Sequence, residues 1–446
     1  MIGDAACHIA DNVFAIDIGI NWNVGIGRLW LVYSPLSGCK IIVTTSDLEK
    51  IKENIRLRKV NDVVKRLLSQ KPVVAKHHTD FDALYVVPTN ECNFSCKYCF
   101  SAKYHGHHVL SESAMISFLE YFLRNKYGRR HVKIVFAGGG EPLLAWDIVA
   151  AGITRIRELE SLNHVLVDIY IITNISQITD QKITFCQQNN VRITASFDIL
   201  EAVQNRQRGG YDRVFSRLKK IDESALKYQI QATIMPDSVD LLSDMIVDVA
   251  HNFPSAQGIV FEMMRGGEVF KTAKDIDTYI QRFWDEWRRA KKVAEKCEVK
   301  IFNSFVATKD IVRDHFCGGI FVLTPYGDIT TCIHISDIEQ KGYADSKIGY
   351  VDGKEVVILE NEFKRAYSRC EVRDPACMAC WARWNCAGGC PKSRHMYSEE
   401  VRSAICRNMK GMLAEMLIDD LRQDLKIQRA EDLDQMICDN YTRGRI

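Results

Sequence analysis

Three cysteines, Cys92, Cys96 and Cys99 in the segment ECNFSCKYCF, stand in C-x3-C-x2-C spacing directly after an apolar run. Thiolates this close together suit an iron–sulfur cluster, and a cube-shaped four-iron cluster ordinarily takes four of them. A loop with three leaves one iron open to a small molecule, so the spacing predicts chemistry that begins at that iron. The other reading of the loop is a structural zinc site, which closes with four ligands. His105, His107 and His108 are the nearest candidates for its fourth ligand. Against zinc stands the context, a loop following a sheet strand rather than a small separate finger.

A second segment, AGGGEPLL, carries adjacent glycines up to Gly139 and Gly140, followed by Glu141 and Pro142. Glycines let a ligand approach the backbone closely, and a proline after the turn opens a helix. A third constellation lies downstream. Cys317, Gly327 and Cys332 read C-x9-G-x4-C; Cys377, Cys380, Cys386 and Cys390 read C-x2-C-x5-C-x3-C; Cys406 follows alone. A paired zinc ribbon is the alternative to clusters here.

These residues need a scaffold. Six strand-like runs, 82–89, 131–139, 167–174, 191–198, 228–235 and 258–266, alternate with amphipathic stretches such as 111–124, where Ala114, Met115, Phe118, Leu119 and Phe122 recur at helical spacing. That alternation predicts an α/β fold with a parallel sheet and outer helices. Ligands of such folds sit at the carboxyl ends of the strands, where Cys92, Glu141, Asn174 and Ser196 all fall. We divide the chain into an N-terminal unit (1–78, ending at Pro72 and its surroundings), the α/β core (79–270), a helical connector (271–316) and a Cys-rich part with a last helix near 407–425 (317–446).

With 446 residues, 47% hydrophobic and 26% charged at net charge +2, the chain is expected to be globular and to need neither nucleic acid nor a membrane surface. The N-terminus lacks a signal-peptide pattern, and no apolar run reaches a membrane span, so the expected location is the cytoplasm. Sixteen cysteines in such a chain point to metal or redox sites rather than disulfides.

Taken together, the Cys loop and the glycine turn resemble the radical S-adenosylmethionine (radical SAM) superfamily from about Asp82 to Gly266. The resemblance implies a partial (β/α)6 TIM-like barrel. It also implies a [4Fe–4S] cluster on Cys92, Cys96 and Cys99 whose open iron chelates S-adenosyl-L-methionine, yielding a 5′-deoxyadenosyl radical after one-electron reduction. Carried over by position, Tyr98 would lie near the adenine, and Gly139, Gly140 and Glu141 match the GGE motif that holds the methionine amine. Asn174 corresponds to the Asn of TNG, while Ser196 and Arg208 match the Ser and Arg of SxDGxxxxHDxxR, contacting the ribose and the methionyl carboxylate. Three departures stand out: Ile175 and Ile199 replace glycines, and Gln204-Asn205 replaces His-Asp.

The downstream cysteines resemble the SPASM domain of peptide, sulfatase and quinone-cofactor maturases. That resemblance implies two auxiliary [4Fe–4S] clusters, three in all: one on Cys377, Cys380, Cys386 and Cys406, the other on Cys317, Cys332 and Cys390. Some relatives supply a further Cys shortly before the first, but 310–316 has none; Cys370, Cys297 or His315 could fill the place, or it stays open. The remaining Cys7, Cys39, Cys186 and Cys438 read as small buried hydrophobes.

The implied function is modification of a ribosomally made precursor peptide, forming a thioether or a C–C or C–O cross-link, with a flavodoxin or ferredoxin as electron donor. A sulfatase-maturating activity is the alternative; relatives of that kind carry an Asp after the equivalent of Cys332, where this chain has Ile333. A non-catalytic electron-transfer or zinc-stabilised binding protein is the reading from another class. Asp198, Asp328, Tyr326 and His334 are candidate bases by their place near the cluster loops. The N-terminal β-then-helix pattern suits a winged-helix-like module that binds a leader peptide by strand addition, or a cap on the barrel.

Overall fold

A computed structural model of the chain describes residues 6–18, 28–71, 80–126, 128, 131–266, 268–317 and 320–424. Pro72, Cys438 and the end of the predicted last helix lie outside these residues.

Four strands, β1 (Ala6–Ala10), β2 (Val13–Asp17), β3 (Leu29–Ser34) and β4 (Cys39–Thr44), form an antiparallel meander in that order. The first hairpin of this unit turns through Asp11 and Asn12, with Asn12 at φ 52°. Asp and Asn tolerate such a tight two-residue turn. Helices Thr45–Arg56 and Asp62–Leu68 follow, each started by a side-chain cap, Thr44 and Asn61.

The main sheet is eleven-stranded. Its centre is a parallel run in chain order: β5 (Ala83–Val86), β6 (Val132–Phe136), β7 (Val167–Thr173), β8 (Val191–Ser196), β9 (Tyr228–Ile234) and β10 (Ile259–Met263). The six predicted strands are these, trimmed at their ends. Helices cover them because their apolar stripes point inward; Glu112–Arg124 buries the predicted Ala114, Met115, Phe118, Leu119 and Phe122, with Ser111 as its cap.

Both edges of this run are extended. Short β11 (Ile301–Phe302) joins β10 in parallel, following helix Ala273–Lys296, which Thr272 and Asp275 open with a capping box. At the other edge β12 (Ile320–Leu323) adds in parallel to β5, and β13 (Asp328–Thr330), β14 (Lys347–Asp352) and β15 (Glu355–Ile358) continue antiparallel. The Cys-rich part is therefore built onto the strand that leads into the Cys92 loop. The last helix already begins at Glu399 and runs to Asp424, earlier than the sequence suggested.

The N-terminal meander is buried on both faces. Phe14, Ile16, Leu29, Leu31 and Tyr33 join the main core, while Val13, Ala15, Val32, Cys39 and Val43 pack with Leu48, Ile51 and Leu67 of its own helices. Its docking partner is the Cys-rich part: Tyr33 donates to Asn385 Oδ1 at 3.0 Å and Trp384 Nε1 to Asn12 Oδ1 at 2.6 Å. Lys40 and Lys309 both meet Asp420, at 2.7 and 3.0 Å. Among the described residues no helix is long and apolar enough to cross a membrane.

Candidate active site

The loop after β5 is fastened at several points. Asn93 Nδ2 donates to Ser176 Oγ at 2.8 Å and Asn174 Nδ2 to Asn93 Oδ1 at 3.0 Å, tying the loop to the end of β7. The Lys97 amide donates to the Gln207 carbonyl at 2.9 Å, and that of Cys99 to the Cys96 carbonyl at 3.0 Å. Asn93 was missed by the sequence reading, although its position inside the Cys loop was the signal. Burial pushes the Cys92 thiol up to about 11, with Glu141, Cys96 and Cys99 adding their charge, so the three thiols share one neighbourhood beside Glu141.

Of the three histidines weighed as zinc ligands, His105 bonds to the Gly139 backbone, His108 lies against Tyr326 with ring centroids 4.7 Å apart, and His107 is exposed near Glu91. Among the described residues no three His, Cys, Asp or Glu side chains converge on one point suited to a single metal ion. The thiolates of a cube-shaped cluster bind separate irons and need no such convergence.

The glycine turn explains its own composition. The amides of Gly140 and Glu141 donate to the carbonyls of Thr89 at 3.0 Å and Glu91 at 2.7 Å. A Cβ on Gly140 would stand 1.9 Å from the Glu91 carbonyl oxygen, so only glycine lets the two loops zip together. Gly139, at φ +62°, would meet Val87 at 2.7 Å. Glu141 is buried and its carboxylate is fully engaged: Thr173 Oγ1 and the Leu143 amide donate to Oε1, the Asn174 amide to Oε2. Burial raises its pKa against the pull of these donors. The side chain thus clamps the end of β6 to that of β7.

Ile175 and Ile199, the two residues in place of family glycines, have φ of 52° and 64° and are fully buried. The backbone keeps the left-handed form that glycine adopts freely, although a β-branched residue is disfavoured there. Beyond β8, Asp198 is buried and receives Tyr98 Oη at 2.8 Å, the Thr233 amide at 3.1 Å and Arg208 Nε at 3.2 Å. Gln204, standing for the usual His, accepts from the Asp198 amide at 2.9 Å and donates to the Gly209 carbonyl at 2.9 Å. Burial works against the charge of Arg208, but Asp198, Tyr98 and Cys96 outweigh it and raise its pKa. The guanidinium lies 5.1 Å from the Tyr98 ring centroid. Ser196 closes β8, half-buried.

Downstream, the thiols gather in two sets. Cys386 is pushed up to about 11 by burial and then by Cys406, Cys380 and Cys377. Interaction with Cys370, then burial, then Cys390 and Cys332 drive the Cys317 thiol well up. Cys297 instead caps the helix ending at Lys296 and packs on the main core. His315 stacks on Tyr367 with centroids 4.1 Å apart, its Nδ1 2.9 Å from Asp314. Among the described residues none of the cysteines forms a disulfide. Cys39 and Cys186 are buried as expected, and Cys7 is partly so.

Three of the four candidate bases are committed elsewhere. Asp198 is paired with Arg208; Asp328 binds Lys347 at 2.7 Å and Tyr343 Oη at 2.8 Å; Tyr326 donates to Asp337 at 2.7 Å. His334 sits edge-on to Phe100, centroids 4.5 Å apart, in the seam between the Cys92 loop and the Cys-rich part. Burial, then Lys392 and Arg265, lower its pKa to about 4.

Residues 86–245 match the family described as the Radical SAM superfamily. The chain is 22% identical over 333 residues to the radical SAM cyclopropyl synthase TigE of Paramaledivibacter caminithermalis, covering 69% of this chain and 67% of that protein. It is 22% identical over 306 residues to a GTP 3′,8-cyclase of Clostridium perfringens, covering 63% and 91%. Among solved structures, anSMEcpe with bound AdoMet and Kp18Cys peptide superimposes with a TM-score of 0.62 at 14% identity, over 76% of this chain and 99% of that one. Streptococcus suis SuiB bound to precursor peptide SuiA gives 0.53 at 15% identity, over 90% and 98%. At these identities the structural likeness is one of fold. The strand ends, the three-thiol loop and the family match agree: the chain carries a radical SAM superfamily domain.

Proposed function

We propose that this protein is a radical SAM enzyme that modifies a ribosomally synthesised precursor peptide, abstracting hydrogen and closing a thioether, C–C or C–O cross-link. The observation that carries the reading is the assembly of three thiol sets around one sheet, with the Cys-rich strand β12 paired directly to β5. When bound, the loop cluster with S-adenosylmethionine supplies a 5′-deoxyadenosyl radical, and two auxiliary SPASM-type clusters supply a sink for the surplus electron. Cys92, Cys96 and Cys99 would hold the first cluster. Asn93 and Glu141 keep the loop and the strand ends in register, while Ser196 and Arg208 would contact the ribose and the methionyl carboxylate, and Tyr98 would lie near the adenine. Neighbours of the same fold were solved with peptides bound, Kp18Cys in anSMEcpe and SuiA in SuiB, which supports a peptide as substrate here. A flavodoxin or ferredoxin is the proposed electron donor.

The sulfatase-type reading is weakened at one position. Ile333 directs its side chain to the glycine turn, where a Cβ on Gly138 would lie 2.6 Å from its Cδ1. The place of a carboxylate base is therefore apolar. The N-terminal meander offers β1, which among the described residues pairs only with β2, as an edge for a leader peptide.

The test is anaerobic incubation of the full-length, cluster-reconstituted protein with S-adenosylmethionine, reductant and the short peptide encoded beside its gene. A product lighter by two hydrogen atoms, with fragmentation blocked between the joined residues, supports a cross-link. Conversion of a Cys or Ser to formylglycine instead would overturn it.

A further inference from the structure

We infer that Cys370 completes the thiol set of Cys317, Cys332 and Cys390, so that this auxiliary site is closed by four protein ligands and holds no iron open to substrate. The inference rests on the reading that these thiols carry a cluster, and it concerns a residue outside the seven-cysteine spacing.

The backbone brings the four together. His315 and Glu371 form an isolated antiparallel bridge, and the chain directions on either side of it carry Cys317 and Cys370 onto neighbouring segments. Pairing of His315 with Glu371 in antiparallel sense sets the residue after His315 opposite Cys370, one position from Cys317. Cys370 is held at the end of helix Glu360–Ser368, its amide donating to the Tyr367 carbonyl at 3.0 Å and its thiol to the Ala366 carbonyl at 3.7 Å. The other pair is joined independently, because Lys392 Nζ donates to the His334 carbonyl at 2.9 Å and so staples the Cys390 turn to the Cys332 turn. The β12–β13 hairpin, with Val322 opposite Thr330, returns the chain so that Cys332, two residues past Thr330, comes back beside the start of β12, which follows Cys317 by three residues. Of the rivals for the fourth place, Cys297 stands at the end of the helix closing at Lys296, while His315 stacks on Tyr367 with both ring nitrogens buried and without a hydrogen bond among the described residues, so the spectra of the Cys370 variants decide between Cys370 and this imidazole.

Four thiolates satisfy all four irons of a cubane. A substrate thiol then has no metal to bind at this site. The peptide's acceptor atom must attack the substrate radical without coordination, and the set is left with the role of accepting an electron. Specificity for a sulfur acceptor cannot originate there.

The test uses the full chain with Cys92, Cys96 and Cys99 all replaced by Ala, which leaves only the auxiliary sites. Two four-iron clusters correspond to about eight irons per chain. Adding Cys370→Ser or Cys370→Ala should give a three-iron paramagnetic signal, or iron near half of that amount, while adding Cys297→Ala should leave iron and spectrum unchanged. In the variant with Cys370 intact, cyanide or a small thiol should not alter the reduced clusters' paramagnetic spectrum; in the Cys370→Ala variant it should. Full iron with an unaltered spectrum after Cys370 replacement, or a spectrum shifted by the small ligands while Cys370 is intact, would overturn the inference. If the auxiliary-only chain binds no iron, the cluster reading itself falls and takes the inference with it.

Discussion

Arg208 Nη1 donates to the Cys96 sulfur across 3.9 Å while its Nε bonds the buried Asp198. A cation is thereby fixed beside the Cys96 thiol by a carboxylate that has no exposure of its own. Removing one partner of such a buried pair strands the other's charge. Arg208→Met should destabilise the protein by about 3 to 5 kcal/mol in denaturant unfolding, and Arg208→Met with Asp198→Asn should recover most of that loss. A single-variant cost below about 1 kcal/mol, in the range of exposed pairs, would show that the pair is solvated.

Gly140 should tolerate no side chain. Gly140→Ala pushes a Cβ into the Glu91 carbonyl at 1.9 Å, and overpacking of this kind costs about 3 kcal/mol. Gly38, at φ +69° with nothing within 4 Å, is the control; there alanine bears only the left-handed penalty of about 1 kcal/mol. Thermal unfolding of both variants measures the difference, and equal losses would refute the zipped-loop account.

Strain at Ile199 should be measurable by comparison. Ile199→Gly and Ile193→Gly remove the same buried side chain, but only the first relieves a positive φ. We expect Ile199→Gly to be less damaging by about 1 kcal/mol. An equal or larger cost at position 199 contradicts the strain.

The thiol-bearing loops were legible because their cysteines are local in sequence and thiol spacing is a strong chemical signal. The parallel core was legible for the same reason, since each strand and its helix carry their own periodicity. Long-range pairings were not. Nothing near Cys370 announces its partner, because the bridge from His315 to Glu371 is set by tertiary packing. The engagement of Glu141 by Thr173 and Asn174 depends on how two strand ends abut. Ile175 and Ile199 read as departures from the family's glycines, whereas the fold retains glycine's backbone form at both positions.

Asp420 should fasten the N-terminal unit in a pH-dependent way. Burial alone would raise its pKa, but hydrogen bonds from Lys40 and Lys309 outweigh burial and hold it below the ordinary value. Its contribution is then full above the unfolded value of about 4 and is lost as pH falls through the lowered folded value. Asp420→Asn should cost about 1 kcal/mol near neutral pH, and the gap from the parent should close on acidification. A gap that persists unchanged at low pH would contradict the assignment.

Reductive cleavage of S-adenosylmethionine tests the central claim most directly. The anaerobically reconstituted full chain, given a strong reductant, should release 5′-deoxyadenosine and methionine, and Cys96→Ala should abolish that release while the downstream thiol sets still bind iron. If the parent protein carries its clusters and forms no 5′-deoxyadenosine, the Cys92, Cys96 and Cys99 loop does not do radical chemistry, and the account is wrong.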